Sequence, residues 1–344
     1  MLLVKLMDMQ FRTLPIQGFR VLLMMGIVLL HTYDNKPVFG GGNELVSFFF
    51  VVSGFLYRDK LIWKKYIVKK MLALFPAYWI ILLIHCMMSM LGGVNKFTID
   101  IIPYALLVQS WIPQESVFYA LKYVGVAWFL SSLLFCYILS PICYRLILRF
   151  FSNKSLPLMI FFYLCVLACM ELDKSFSLGG WLAYISPFTR LLEYLMGMCL
   201  WSAIKNKQQV HLPKRKDILA IFFVVIYFCL IYFQILGGGT SIIHILLIAF
   251  IFVYDSNIVK LIFANKWIVW LSSYVMFVYL SHQSLTLSCL GFRVDALMQR
   301  ISINVDLHIV MVALCWINGV IFGLFYNKFI CPYINNYEHR ILFR

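Results

Sequence analysis

The chain reads as a succession of long apolar runs separated by short polar loops. The runs predict ten helices, at about 14–33, 44–62, 71–91, 124–146, 156–171, 181–201, 218–236, 240–255, 267–290 and 307–331. Crossing a bilayer takes about 20 apolar residues in a helix, and most of the runs approach that length. Those at 156–171 and 240–255 are the shortest. The stretch 101–112 is apolar over about half a span, and it reads as interfacial or re-entrant. No internal repeat or low-complexity segment breaks the series. The expected fold is all-α: a polytopic helical bundle of about ten transmembrane helices, forming one domain over residues 1–344.

Composition agrees with that pattern. Of the 344 residues 63% are hydrophobic and 12% charged, whereas soluble domains carry about 25% charged residues. A chain so poor in charge could not cover a water-facing surface, so lipid is the expected solvent. The N-terminal run has the flanking Lys5 and Arg12 of a secretion signal. It also contains Arg20 and ends at His31 without a small-residue cleavage site, so it reads as a retained first helix. The 10 cysteines lie mostly within apolar runs and form no C-x-x-C pair, and they read as small hydrophobes. No metal site is expected.

A net charge of +15 would by itself point to nucleic acid, but its placement points elsewhere. Of 29 Lys and Arg, twenty-one fall in alternate loops, densest at 58–70 and 205–216. Six (Lys36, Lys96, Lys122, Lys174, Arg293 and Arg300) fall in the intervening loops, and Arg20 and Arg190 lie within helices. That asymmetry is the positive-inside pattern. It predicts two cytoplasmic termini, an even number of helices, and a multi-pass protein of the inner (plasma) membrane. The basic charge then serves topology and membrane lipid, and no nucleic-acid partner is needed.

Ionisable groups within membrane helices are costly and usually functional. Arg20 and His31 are 11 residues apart. At about 100° and about 1.5 Å per residue they share one helix face, about 16 Å apart along the axis. The pair suits a long substrate lying across the membrane; it also suits two separate interfacial side chains. Ser53–Gly54 interrupts an aromatic run in ELVSFFFVVSGFLY, either for close helix packing or for chemistry. Glu44 opens that helix, where it can orient a histidine or remain solvated. Lys64, Lys65, Lys69 and Lys70 precede Pro76 on the cytoplasmic side. They fit either a polyanionic cofactor or anionic lipid heads. Arg190 and Glu193, three apart, can pair on one face. His282, His85 and His244 lie in the outer halves of their helices, where each can move a proton or simply pack. The tracts Gly40–Gly42 and Gly237–Gly239 read as flexible turns.

Taken in order, these segments resemble membrane acyltransferase family 3, the O-acyltransferases of bacterial surface polysaccharides. Arg20 through His31 in IQGFRVLLMMGIVLLH resembles the family's opening of a basic residue, ten residues and a histidine. FFFVVSGF, with Ser53, Gly54 and Phe55, resembles its second helix, and KKMLALFPAYW around Pro76 its third. LLVQSWIP and AWFLSSLLFCYILSP, with Trp111 and Trp128, resemble a later stretch. RLLEYLMGM, with Arg190, Glu193, Gly197 and Met198, and YVMFVYLSHQSL, with His282, complete the order. The resemblance spans about residues 10–330. One departure stands out. The family often carries two arginines separated by two residues, the second three before the proline, and those places here hold Lys70 and Ala73.

The resemblance implies acetyl-CoA, or another acyl-CoA, as donor from the cytoplasm, handled by Lys65, Lys69 and Lys70. It implies a sugar hydroxyl on a surface glycan or lipid-linked sugar as acceptor. His31 is the expected base, or the carrier of a covalent acyl group, and Arg20 the neutralising charge. Ser53, Glu44, Arg190, Glu193 and His282 are supporting candidates. Two other function classes fit the same architecture: a transporter of glycan or lipid-linked glycan that makes no bond, and a structural subunit of a polysaccharide-synthesis complex.

Overall fold

The structure, a computed structural model, describes residues 2–32, 42–58, 62–113, 121–205, 207–211, 214–233, 239–287 and 306–342. Lys36, Lys60, Arg293, Arg300 and Cys289, with most of both triple-glycine tracts, lie outside these residues. All ten apolar runs contain helix, and their limits carry the interest. The first four helices are α1 (Leu2–Thr32), α2 (Gly42–Phe55), α3 (Trp63–Leu91) and α4 (Trp128–Phe150). The next four are α5 (Ser155–Ser175), α6 (Pro187–Ile204), α7 (Lys214–Tyr232) and α8 (Ser241–Val253). The chain ends with α9 (Asn257–Phe263), α10 (Lys266–Ser272), α11 (Val275–Ser281), α12 (Leu307–Phe329) and α13 (Cys331–Leu342).

Five helical segments among the described residues are long and apolar enough to cross a membrane: Arg12–Thr32, Trp63–Leu91, Gly125–Phe150, Ser155–Ser175 and Leu307–Phe329. The other runs are shorter or broken, so ten uninterrupted spans are not seen. The run 181–201 breaks at Ser186–Pro187. A π-turn covers Trp181–Ile185, and the Ser186 hydroxyl accepts from the Phe188 N–H, 3.2 Å, to start α6. Pro187 lacks an N–H and fits that first turn. The run 267–290 becomes α10, α11 and a π-turn over His282–Leu287. Helix α2 stops at Phe55 instead of running to 62, and Arg58 Nη1 donates to the carbonyls of Phe55, 2.7 Å, and Tyr57, 2.6 Å. The Phe55 carbonyl would otherwise be an orphan acceptor of the helix end.

Helix α3 starts at Trp63, eight residues before the expected position, so Lys64, Lys65, Lys69 and Lys70 sit on a helix and not in a loop. The stretch 101–112 is no span: a one-turn helix at Ile102–Ala105 leads into turns. The all-α expectation has one small exception, a parallel pairing of Val210–His211 with Tyr254–Asp255.

Helix α1 packs against α2, α8, α9, α10 and α12, while α6 packs against α2, α4 and α5. Glycine permits the closest crossings. A Cβ on Gly54 would lie 1.8 Å from the Tyr194 carbonyl oxygen, and one on Gly197 would lie 2.0 Å from that of Val51. The backbones of α2 and α6 therefore touch, as small residues allow in membrane bundles. Gly319 does the same for α12 on α11, where a Cβ would meet the Val278 Cα at 2.5 Å. Large apolar side chains such as Phe161, Leu164, Ile317 and Ile321 face outward, the reverse of a water-soluble core. Gly54→Val should therefore destabilise the protein by about 1–3 kcal/mol or more. Scanning fluorimetry in detergent would register a lowered Tm, and an unchanged Tm would mean that the helices do not cross this closely.

Candidate active site

His31 and His282 lie 251 positions apart in sequence and meet in space. His31 Nδ1 is 2.9 Å from His282 Nε2, with ring centroids 5.0 Å apart. His282 is fully buried and His31 only partly so. The partners fix the protons. His282 Nδ1 faces two backbone carbonyls, Tyr279 at 2.7 Å and Val278 at 3.2 Å. Carbonyl oxygens only accept, so Nδ1 carries the hydrogen. With both rings neutral, His282 Nε2 is then an acceptor and His31 Nδ1–H is its donor. The unprotonated nitrogen of His31 is Nε2, on the ring that remains partly accessible. The π-turn that begins at His282 is held by Asn318 Nδ2, which donates to Thr286 Oγ1 at 2.9 Å.

A cavity of about 670 Å³ opens below this pair. Its wall includes Arg20 and Met24 of α1, Ser53 of α2, Leu56 and Arg58 just beyond it, Lys69 and Lys70 of α3, Tyr137 of α4, Tyr194 of α6 and Tyr279 of α11. Arg20 Nη1 donates to Gln17 Oε1, 2.7 Å. The two histidines are not on the cavity wall, but Tyr279 is one turn from His282 and Met24 two turns from His31. Among the described residues four cations line the cavity and no Asp or Glu does, so the chamber suits an anion with an apolar arm. That donor set fits an acyl-CoA: basic groups for phosphate, and apolar walls such as Phe49, Phe129, Leu130 and Met276 beyond them.

The remaining candidates separate. Ser53 faces the cavity, whereas its neighbour Gly54 faces α6. Lys69 and Lys70 line the cavity and Lys65 does not; Tyr66, Lys69 and Lys70 share the inward face of α3, and Lys65 lies to one side of it. Ala73, at the place of the family's second arginine, is exposed and off the wall. Arg190 and Glu193 are buried and paired, Nη1 to Oε2 2.7 Å. Ser47 of α2 donates to Glu193 Oε1, 2.6 Å, and accepts from Arg190 Nη1, 3.0 Å. Arg190 Nε donates to the Tyr184 carbonyl, 2.7 Å. That network joins α2 to α6, away from the cavity. Glu44 is buried, not solvated, and its backbone carbonyl accepts from His244 Nε2 at 2.5 Å, while Tyr227 donates to His244 Nδ1 at 3.0 Å. Both nitrogens of His244 are thereby engaged in joining α2, α7 and α8. His85 Nε2 accepts from Lys96 Nζ, 2.9 Å.

The meeting of His31 with His282 was not readable from spacing, since nothing local relates positions 31 and 282. Nor was the place of Arg58 or of the tyrosines on the cavity wall. Arg58 carried one signal, as the first basic residue after the SGF run.

Compared with known protein families, residues 15–326 match the acyltransferase domain. No curated protein and no solved structure matches the chain.

The buried ion pair supplies a direct test of this geometry. Arg190→Met should destabilise the protein by about 3–5 kcal/mol, because it strands Glu193 without its charge partner. Adding Glu193→Leu should restore part of the loss in thermal unfolding. A double variant no more stable than Arg190→Met would contradict the pairing.

Proposed function

The chain belongs to membrane acyltransferase family 3, and from that premise we propose that it transfers an acetyl group from cytoplasmic acetyl-CoA to a hydroxyl of a surface glycan or lipid-linked sugar, at the inner membrane. The observation that carries this reading is the two-histidine contact above a basic, apolar-walled cavity. His31 Nε2 takes the proton of the sugar hydroxyl as its oxygen attacks the thioester carbonyl. Collapse of the tetrahedral intermediate breaks the C–S bond, and the CoA sulfur leaves with the proton that His31 took. During the step His31 is an imidazolium, and its Nδ1–H bond to His282 Nε2 strengthens as the donor becomes charged. His282 is thus a positioning residue: it holds the tautomer and ring plane of His31. Arg20 neutralises charge on the donor within the cavity.

Ten spans with both termini in the cytoplasm remain the topology that the loop charges favour. The shorter helices α2, α6, α7 and α8 and the broken segments α10–α11 would supply the remaining crossings. A transporter or a purely structural subunit is the weaker reading. Neither needs a histidine held in one tautomer, and the family match is to an acyltransferase domain.

With purified protein, [14C]acetyl-CoA and glycan extract, His31→Ala should lower acetyl transfer by about 10²-fold or more. Retained transfer would remove His31 from the mechanism. His282→Leu should lower kcat with little change in KM for acetyl-CoA, since His282 is off the cavity wall. His282→Gln keeps an acceptor for His31 Nδ1–H and should recover part of the loss. Equal activity of the Leu and Gln variants would reduce His282 to packing.

A further inference from the structure

We infer that Arg58 is the guanidinium that grips the phosphate groups of the donor at one end of the cavity, an inference that rests on the acyl-CoA reading above. Among the described residues the four cations of the wall are Arg20, Arg58, Lys69 and Lys70. Arg20 lies along α1, on the side of the cavity from which that helix continues to His31. The other three come from the end of α2 and the first turns of α3, and they gather where two helix ends meet. Helix α3 contains no arginine, so Arg58 is the single guanidinium among them.

These three cations differ in how they are held. Lys69 Nζ is paired with Glu338 of α13, 3.0 Å, and its side chain is about half exposed at 52%. Lys70 Nζ lies 4.4 Å from the centre of the Tyr137 ring. Arg58 is fixed most completely. Its Nη1 donates to two backbone carbonyls, Phe55 and Tyr57, and its Cζ lies 3.3 Å from the centre of the Trp201 ring. A guanidinium has five N–H donors in one plane, of which Nη1 supplies two. With that edge bound to carbonyls and Cζ held over an indole, the orientation of the fork is set before a ligand arrives. Lysine offers a point charge, whereas arginine offers planar, bidentate contact with a phosphate. Preorganisation of this kind also lowers the ordering cost of binding.

The position explains how the chain manages with Ala73 where an arginine is common. The guanidinium comes from the α2 side of the cavity and not from α3. It also gives Arg58 two roles in one geometry, closing the end of α2 and presenting charge to the cavity.

The test is calorimetric titration of the full-length protein, in uncharged detergent, with CoA and separately with pantetheine, which lacks the nucleotide and its phosphates. Wild type should bind CoA more tightly than pantetheine. Arg58→Gln should weaken CoA binding by about 10- to 100-fold, the scale of a lost hydrogen bond to a charged group, and so erase most of that preference. Arg58→Lys, which keeps charge but not the fork, should fall between. Should the Gln variant fail to fold, the Lys variant carries the test through the same CoA-to-pantetheine ratio. A wild type that prefers CoA, with Arg58 variants that prefer it equally, overturns the role of Arg58 and leaves the donor reading intact. A wild type that does not distinguish CoA from pantetheine overturns the donor reading itself. A phospholipid headgroup carries the same phosphate chemistry. If phosphatidylglycerol binds with Arg58-dependent affinity and CoA does not bind, the nucleotide assignment falls.

Discussion

A polar group inside a bilayer has no water to turn to, and the contact of α2 with α6 is where this chain meets that constraint most directly. Gly54 and Gly197 bring the two backbones into contact. One turn or two away, Ser47 of α2 closes the ring of hydrogen bonds around the Arg190–Glu193 pair. Helix α2 is thereby fixed in rotation, with Ser53 on the cavity and Gly54 on α6. Its other contacts reach α1 and α8, the latter through His244 and the Glu44 carbonyl. Helix α1 is held in turn, and it carries both Arg20 and His31.

Two of the helices that line the cavity also carry or lead into the histidine pair. Helix α1 supplies Arg20 and Met24 to the wall and His31 above it. Helix α11 supplies Tyr279 to the wall, and His282 follows its last residue. Close packing of α12 through Gly319 and the Asn318–Thr286 hydrogen bond set the height of the π-turn that starts at His282. Donor and base are thus registered by helix geometry, at about 1.5 Å per residue, and not by loops.

Much of this was legible in sequence, and the rest was hidden for physical reasons. Apolar run length placed helices α1, α3, α4, α5 and α12, because lipid imposes one dominant requirement. The joint facing of Arg20 and His31 follows from an 11-residue interval, but their partners do not. His282 meets His31 through tertiary packing across 251 positions, and a single sequence carries no trace of that contact. The breaks at Ser186 and near Ser273 leave no mark in the apolar pattern, because their flanks are as apolar as a continuous span. In sequence Arg58 is only one of the topological charges, since its two carbonyl partners and Trp201 meet it only when α2 ends at Phe55. The charge density of the Lys64–Lys70 segment masks the helix that continues into α3.

The measurement that bears most directly on the account is the acetyl content of the cell-surface glycan, by NMR, in a deletion strain complemented with wild type or with His31→Ala. Acetyl signals should vanish on deletion and return with wild type but not with the variant. Unchanged acetylation, with a fall in the amount of surface glycan, would contradict the account and favour transport.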